Sequence, residues 1–154
     1  IKYFNFALST KKENKKLFID KNNMGNLSFY YEMVERDKLG FMNSPDNYEI
    51  IKCESTQKFF KSIKLKKNII KIDTQGYDEI IFQEIPKSVL KKNQILIIEI
   101  TPINEKKINF SKYRENLNLY KKFTDFDGNI YSKDQVIELS KKTKGKNIDL
   151  IFLK

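Results

Sequence analysis

Two apolar runs constrain this chain more than any other feature. Asn68 to Asp73 (NIIKID) is a short β-branched run ending on an acid, and Gln94 to Ile100 (QILIIEI) reads as a buried strand. Between them, Tyr77 to Ile85 places Ile80, Ile81 and Glu84/Ile85 at helical spacing, and Pro86 stops the pattern. Two apolar strands joined by a helical connection form a βαβ unit, which favours a parallel sheet. The expected architecture is therefore one α/β domain over 1–154, a mostly parallel sheet flanked by helices.

The remaining elements fit around that unit. Lys2 to Leu8, Lys16 to Ile19 and Tyr48 to Glu54 read as strands, and Ser55/Thr56 as the cap of a short helix through Ser62. Asp20 to Ser28, rich in Asn and holding Gly25, reads as a loop, as does Phe41 to Asn47. Phe29 to Leu39 reads as a helical turn or an irregular segment. Lys112 to Phe123 is expected to be a helix, Phe126 to Ile130 a turn entering a short strand, Lys133 to Lys142 a helix ended at Gly145, and Asn147 to Leu153 the last strand.

Composition narrows the function classes. With 154 residues, the chain can bury a core without staples. Its one cysteine, Cys53, excludes an intrachain disulfide and a cysteine-cluster zinc site. It holds no histidine, which excludes a histidine base, a Ser-His-Asp triad and a histidine-ligated metal. No apolar run approaches the ~20 residues that span a bilayer. No leader opens the chain, so a cytoplasmic location is expected. The net charge is +10, but only Arg36 and Arg114 are arginines. The lysines are scattered in twos and threes, and base readers lean on arginine forks. A solvated lysine surface is the favoured reading over a nucleic-acid face.

The chemistry-bearing stretch is Ile69 to Ile81. Ligands of open parallel sheets sit outside the carboxyl ends of the strands, where Asp73 stands. Gly76 allows a tight turn before the helix, and Asp78 complements the dipole in its first turn. Asp73 either faces a ligand or caps the helix.

The segment KIDTQGYDEIIFQEI, followed at strand distance by ILIIEI, resembles the strand-4 to strand-5 region of FkbM-type S-adenosylmethionine-dependent methyltransferases. Lys71, Ile72, Asp73, Gly76, Tyr77 and Glu99 match the pattern, and Asp78 stands where that family usually has Glu. Asn5 to Ser9 resembles the end of the family's strand 3, Asn22 to Ser28 the loop after it, and Asn147 to Phe152 its final strand. The resemblance implies part of a class I, Rossmann-like methyltransferase fold and methyl transfer from S-adenosylmethionine to a hydroxyl of a small molecule or sugar. It gives catalytic roles to Asp73 and Glu99. Ala7, Leu8, Ser9, Asp73, Gln75 and Gly76 would contact the cofactor. An equally open role for Glu99 is to hold a lysine or a backbone amide. Acceptor specificity is expected from Asp20 to Asn47 and Thr101 to Phe110, since scaffold loops usually carry it.

The five glycines form no GxG, so the Gly-rich turn of such a site is missing from this sequence. The likeness starts at the family's third strand and the first residue is Ile, so the expectation is a C-terminal fragment lacking the first two strands. Strand 4 would then expose an edge rich in Ile69, Ile70 and Ile72. Either the sheet rearranges or a homodimer covers that edge. The competing readings are a non-catalytic α/β module acting by self-association or partner binding, and a lysine-rich nucleic-acid binder. Tyr30, Tyr31 and Tyr77 are expected as core or rim aromatics, and Cys53 as buried and inert.

Overall fold

The computed structural model describes residues 3–20, 23, 27–35, 43–104 and 106–154. The N-terminal elements are β1 (Ala7–Ser9), β2 (Glu13–Ile19), β3 (Leu27–Ser28), α1 (Tyr31–Val34), β4 (Tyr48–Ser55) and α2 (Thr56–Ser62). They are followed by β5 (Asn68–Ile72), α3 (Asp78–Glu84), α4 (Lys87–Leu90), β6 (Asn93–Ile100), α5 (Phe110–Leu117), β7 (Lys122–Asp125), β8 (Ile130–Tyr131), α6 (Lys133–Lys141) and β9 (Ile148–Leu153). The strands form a four-stranded sheet of order β1-β4-β2-β3 and a five-stranded sheet of order β5-β6-β9-β7-β8. The fold is mixed α/β.

The expectation of a mostly parallel sheet is corrected. The βαβ unit read from the sequence is present, with β5 parallel to β6 and Ile72 opposite Ile98. The other parallel pair is β1 with β4; β6–β9, β7–β9, β7–β8, β2–β3 and β2–β4 are antiparallel. The cause lies in the connections. Parallel neighbours need a crossover, whereas a tight turn can only return the chain antiparallel. Between β7 and β8 the chain turns at once: Asn129 donates to Asp125 through its backbone and its amide, and Gly128 takes φ 86°. The last strand, β9, enters antiparallel between β6 and β7.

Several boundaries shift. Among the described residues of the strand expected over 2–8, only Ala7 and Leu8 are strand, in β1 (Ala7–Ser9), which pairs with β4 rather than with β5. Among the described residues, β5 hydrogen-bonds only to β6, so it is an edge of its sheet. The helix expected over Lys112 to Phe123 ends at Leu117, because Lys122–Asp125 pairs along β9 and puts Phe123 opposite Phe152. Asn109 caps α5 by accepting from Lys112 N. Ser55 caps α2 as expected, and Ser132 and Gln135 form a reciprocal capping box on α6. Of the expected loops, residues 21–22, 24–26 (with Gly25) and 41–42 lie outside the described residues, as do 36–39 of the Phe29 to Leu39 segment; Leu27–Ser28, expected as loop, is instead β3, paired antiparallel with β2.

Alternation along the strands decides where the core sits. Ile72, Leu96, Ile98, Ile100, Leu150 and Phe152 are buried beneath helices α3 to α6, with Phe82, Leu90, Tyr113, Leu117 and Val136. Phe82 and Phe123 pack edge-on against Phe152 with ring centres 5.7 and 5.0 Å apart. Their neighbours in sequence point to the other side of the sheet, where Ile95, Ile97, Ile151 and Leu153 stay partly exposed and Ile69 is 64% exposed.

Candidate functional site

The turn after β5 is built by Asp78. Its carboxylate is buried and accepts from the Thr74 backbone amide, the Thr74 hydroxyl and the Gly76 backbone amide, each at 3.1 Å. Burial pushes its pKa up to about 6, opposed by the Thr74 and Gly76 hydrogen bonds. Gln75 (φ 49°) and Gly76 (φ 95°) carry the chain through left-handed conformations. A Cβ on Gly76 would clash with Ile103 Cδ1, so side-chain space as well as φ calls for glycine.

Asp73 stands just past the end of β5 and does not cap α3. Its Oδ2 accepts from Lys71 Nζ at 2.8 Å, and its side chain is 46% exposed. Neighbouring Asp73 is also the main cause that raises the Lys71 pKa, with smaller contributions from Asp149 and Glu99. Glu99, one strand over, accepts from the Thr101 hydroxyl at 3.0 Å and from the Asn147 amide at 3.1 Å. It faces Asp149 across the β6–β9 ladder. Asp73, Glu99 and Asp149 thus form an acidic end on the sheet.

Ser9 comes to the same turn from the other sheet. Its hydroxyl is buried, donates to Glu13 at 2.6 Å and lies 3.2 Å from the Tyr77 hydroxyl. Lys15 Nζ also donates to the Tyr77 hydroxyl and sits 4.3 Å over that ring. Phe29 packs edge-on against Tyr77 at 5.0 Å, and Ser28 donates to the Gln75 carbonyl at 2.7 Å. Tyr77 is therefore a core aromatic with a satisfied hydroxyl. Ala7 and Leu8 are half-buried on β1. Cys53 is buried, and burial raises its thiol pKa.

Sequence reasoning missed two groups here. The first is the anchoring role of Asp78, signalled by an acid two residues past a turn glycine. The second is the buried pair of Glu79 and Lys106, 2.6 Å apart, in which Lys106 also donates to the Thr101 carbonyl. Nothing singles out Lys106 among so many lysines.

A cleft of about 400 Å³ opens between the ends of β6, β7 and β9; neither Asp73 nor Glu99 lines it. Ile100, Pro102, Phe126, Lys142, Asn147 and Asp149 are among its walls. No family model matches the chain, and no curated protein or solved structure matches it.

The residues assigned to a nucleoside cofactor fit it only in part. The Ser9 hydroxyl is turned inward to Glu13 and Tyr77, and Ile103 fills the space beside Gly76. Asp73 and the half-buried Gln75 side chain remain open to a ligand.

Proposed function

We propose that this chain carries the acceptor-side portion of an S-adenosylmethionine-dependent methyltransferase of the FkbM type, acting on a hydroxyl of a small molecule or sugar. The observation that carries the reading is the β5–turn–α3–β6 unit. It sets Asp73 and Glu99 at the carboxyl ends of neighbouring parallel strands, where α/β sheets bind ligands. Asp73 is the better base candidate, being exposed and held by a single lysine, while both Glu99 oxygens are engaged. Lys71 holds Asp73 by the 2.8 Å contact to its Oδ2. The cleft at the ends of β6, β7 and β9 has apolar and polar walls suited to a hydroxylated acceptor. Asn147 links that cleft to Glu99.

The test is a calorimetric titration of the 154-residue chain with S-adenosylhomocysteine. Micromolar binding that is lost in Asp73→Ala supports the reading. No heat at millimolar ligand contradicts it for this chain. The second reading, a non-catalytic module, is favoured by the engaged Ser9 hydroxyl and the filled space at Gly76, and the same blank titration would support it.

A further inference from the structure

Two stretches of this sequence hold lysines and no acid. Residues 55–72 carry six lysines and residues 85–98 carry three, with no Asp or Glu in either. The fold brings the stretches together at one end of the five-stranded sheet, where β5 and β6 start side by side with Asn68 opposite Asn93. Two adjoining clefts of about 510 and 490 Å³ open there and share Leu65, Lys66 and Lys92 as walls. Lys67 and Lys91 line the first, and Lys61 and Lys64 the second. Lys154 also lines the first, its ammonium held by the Leu119 carbonyl at 2.8 Å. Lys71 and Lys87, from the same two stretches, are paired with Asp73 and Glu115. The other six are exposed, and among the described residues none of them enters an ion pair and no Asp or Glu lines either cleft.

The backbone beneath these lysines is pinned by a buried network. The Asn93 amide donates to the Asn68 carbonyl and to the Asn68 side-chain oxygen at 3.1 and 3.0 Å. The Asn93 side-chain oxygen accepts from the Tyr120 hydroxyl at 2.6 Å. Asn68 in turn donates through its amide to the Lys66 carbonyl at 2.7 Å. The backbone amides of Lys91 and Lys92 donate to the Lys87 and Val89 carbonyls. The points where the lysines leave the chain are therefore set, while their long side chains stay free to converge on an anion.

Ammonium groups gathered without acids repel one another, and concave walls of low dielectric focus their field on an anion that enters. Lysine binds phosphate as a point charge, without the arginine fork that reads base edges. No arginine lines either cleft among the described residues, and Phe60, the aromatic in their walls, is buried. Base stacking therefore has no platform here. These features suit a compact anion with several charges close together better than a nucleic-acid strand.

We propose that the adjoining clefts bind the neighbouring phosphoryl groups of a multiply phosphorylated ligand, carried by a free small molecule or by a lipid headgroup. The site lies at the opposite end of β5 from Asp73 and does not rest on the methyltransferase reading.

Calorimetric titration of the full chain with inorganic triphosphate, near physiological salt, tests it. Saturable binding with a Kd below about 0.1 mM is expected. A matching rise in melting temperature should accompany it, since the anion binds the folded state. Lys66→Gln combined with Lys92→Gln, at the walls common to both clefts, should weaken binding at least about tenfold. Lys107 and Lys144 are exposed and stand after β6 and before β9, at the other end of the sheet. Lys107→Gln combined with Lys144→Gln removes the same charge and should leave the affinity within about twofold. Circular dichroism confirms that each variant is folded. Co-sedimentation with phosphatidylcholine vesicles, with and without phosphatidylinositol bisphosphate, separates the two sources. Retention that depends on the phosphorylated lipid assigns a headgroup, and any other pattern assigns a free ligand. No heat at millimolar triphosphate overturns the proposal. So does equal weakening by the two variant pairs, which would reduce the effect to net charge. So does a DNA duplex that displaces triphosphate at a lower phosphate concentration, which would make this surface a nucleic-acid face.

Discussion

Glu79 and Lys106 meet at 2.6 Å with side chains 0% and 2% exposed, joining the first turn of α3 to the loop after β6. Glu79 Oε1 takes the ammonium, and Oε2 has no hydrogen-bond partner among the described residues. Lys106 also donates to the Thr101 carbonyl, and Ile103 of the same loop packs on Gly76. The pair therefore fastens the 101–109 loop over the turn that presents Asp73. Removing one partner of a buried ion pair leaves an uncompensated charge, which costs about 3–5 kcal/mol. Lys106→Met is expected to lose that much at pH 8 in urea unfolding.

The same carboxylate makes stability depend on pH. Burial raises the Glu79 pKa from 4.5 to about 7, against the opposing pull of Lys106. The folded state then holds a proton that the unfolded chain has released, so this contribution is complete below the unfolded pKa and disappears as pH rises through about 7. The stability of the wild type relative to Glu79→Gln should fall between pH 5 and pH 8, as read by urea midpoints. The penalty for Lys106→Met should shrink at pH 5, where a protonated Glu79 needs no counter-ion. A pH-independent difference would contradict the assigned protonation.

Two glycines separate backbone strain from crowding. Gly128 (φ 86°) has open space where a Cβ would stand, whereas Gly76 (φ 95°) has Ile103 Cδ1 there. Gly128→Ala should cost about 1 kcal/mol, the strain of a left-handed alanine. Gly76→Ala should reach the upper part of the ~1–3 kcal/mol range, since Ile103 must also move. Pairing Gly76→Ala with Ile103→Val should recover part of the difference in thermal unfolding.

Asp73 is the opposite case. Its pair with Lys71 is exposed on both sides, and exposed ion pairs contribute only ~0–1 kcal/mol. Asp73→Ala should leave the melting temperature nearly unchanged, which makes it a clean probe of ligand binding. A large loss of stability would mean that Asp73 serves the fold.

The βαβ unit was legible because its apolar runs, glycine and proline lie within one stretch of sequence. Its boundaries, Asn68–Ile72, Asp78–Glu84 and Asn93–Ile100, fall within a residue or two of the reading. What sequence concealed was pairing. Nothing local in Asn147 to Leu153 says that the last strand inserts antiparallel between β6 and β7, or that Ala7–Ser9 joins β4. Lys122 and Phe123 looked helical because Tyr120 and Phe123 continue the spacing of Tyr113 and Leu117, yet they open β7. Its strand form is imposed by β9, a partner some 30 residues away. At the site, Asp73 and Glu99 were placed by their strand ends. The roles of Asp78 and Lys106 depend on burial and on a loop returning from β6, which periodicity does not report.

We propose above that the turn from Asp73 to Gly76 binds a ligand. Amide nitrogen–proton NMR spectra recorded during titration with S-adenosylhomocysteine are the first measurement to make. Saturable shifts are expected at Asp73, Thr74, Gln75 and Gly76, and they should vanish in Asp73→Ala while the rest of the spectrum is unchanged. No shifts at millimolar ligand, or shifts confined to the lysine-rich end around Lys66 and Lys92, would contradict it.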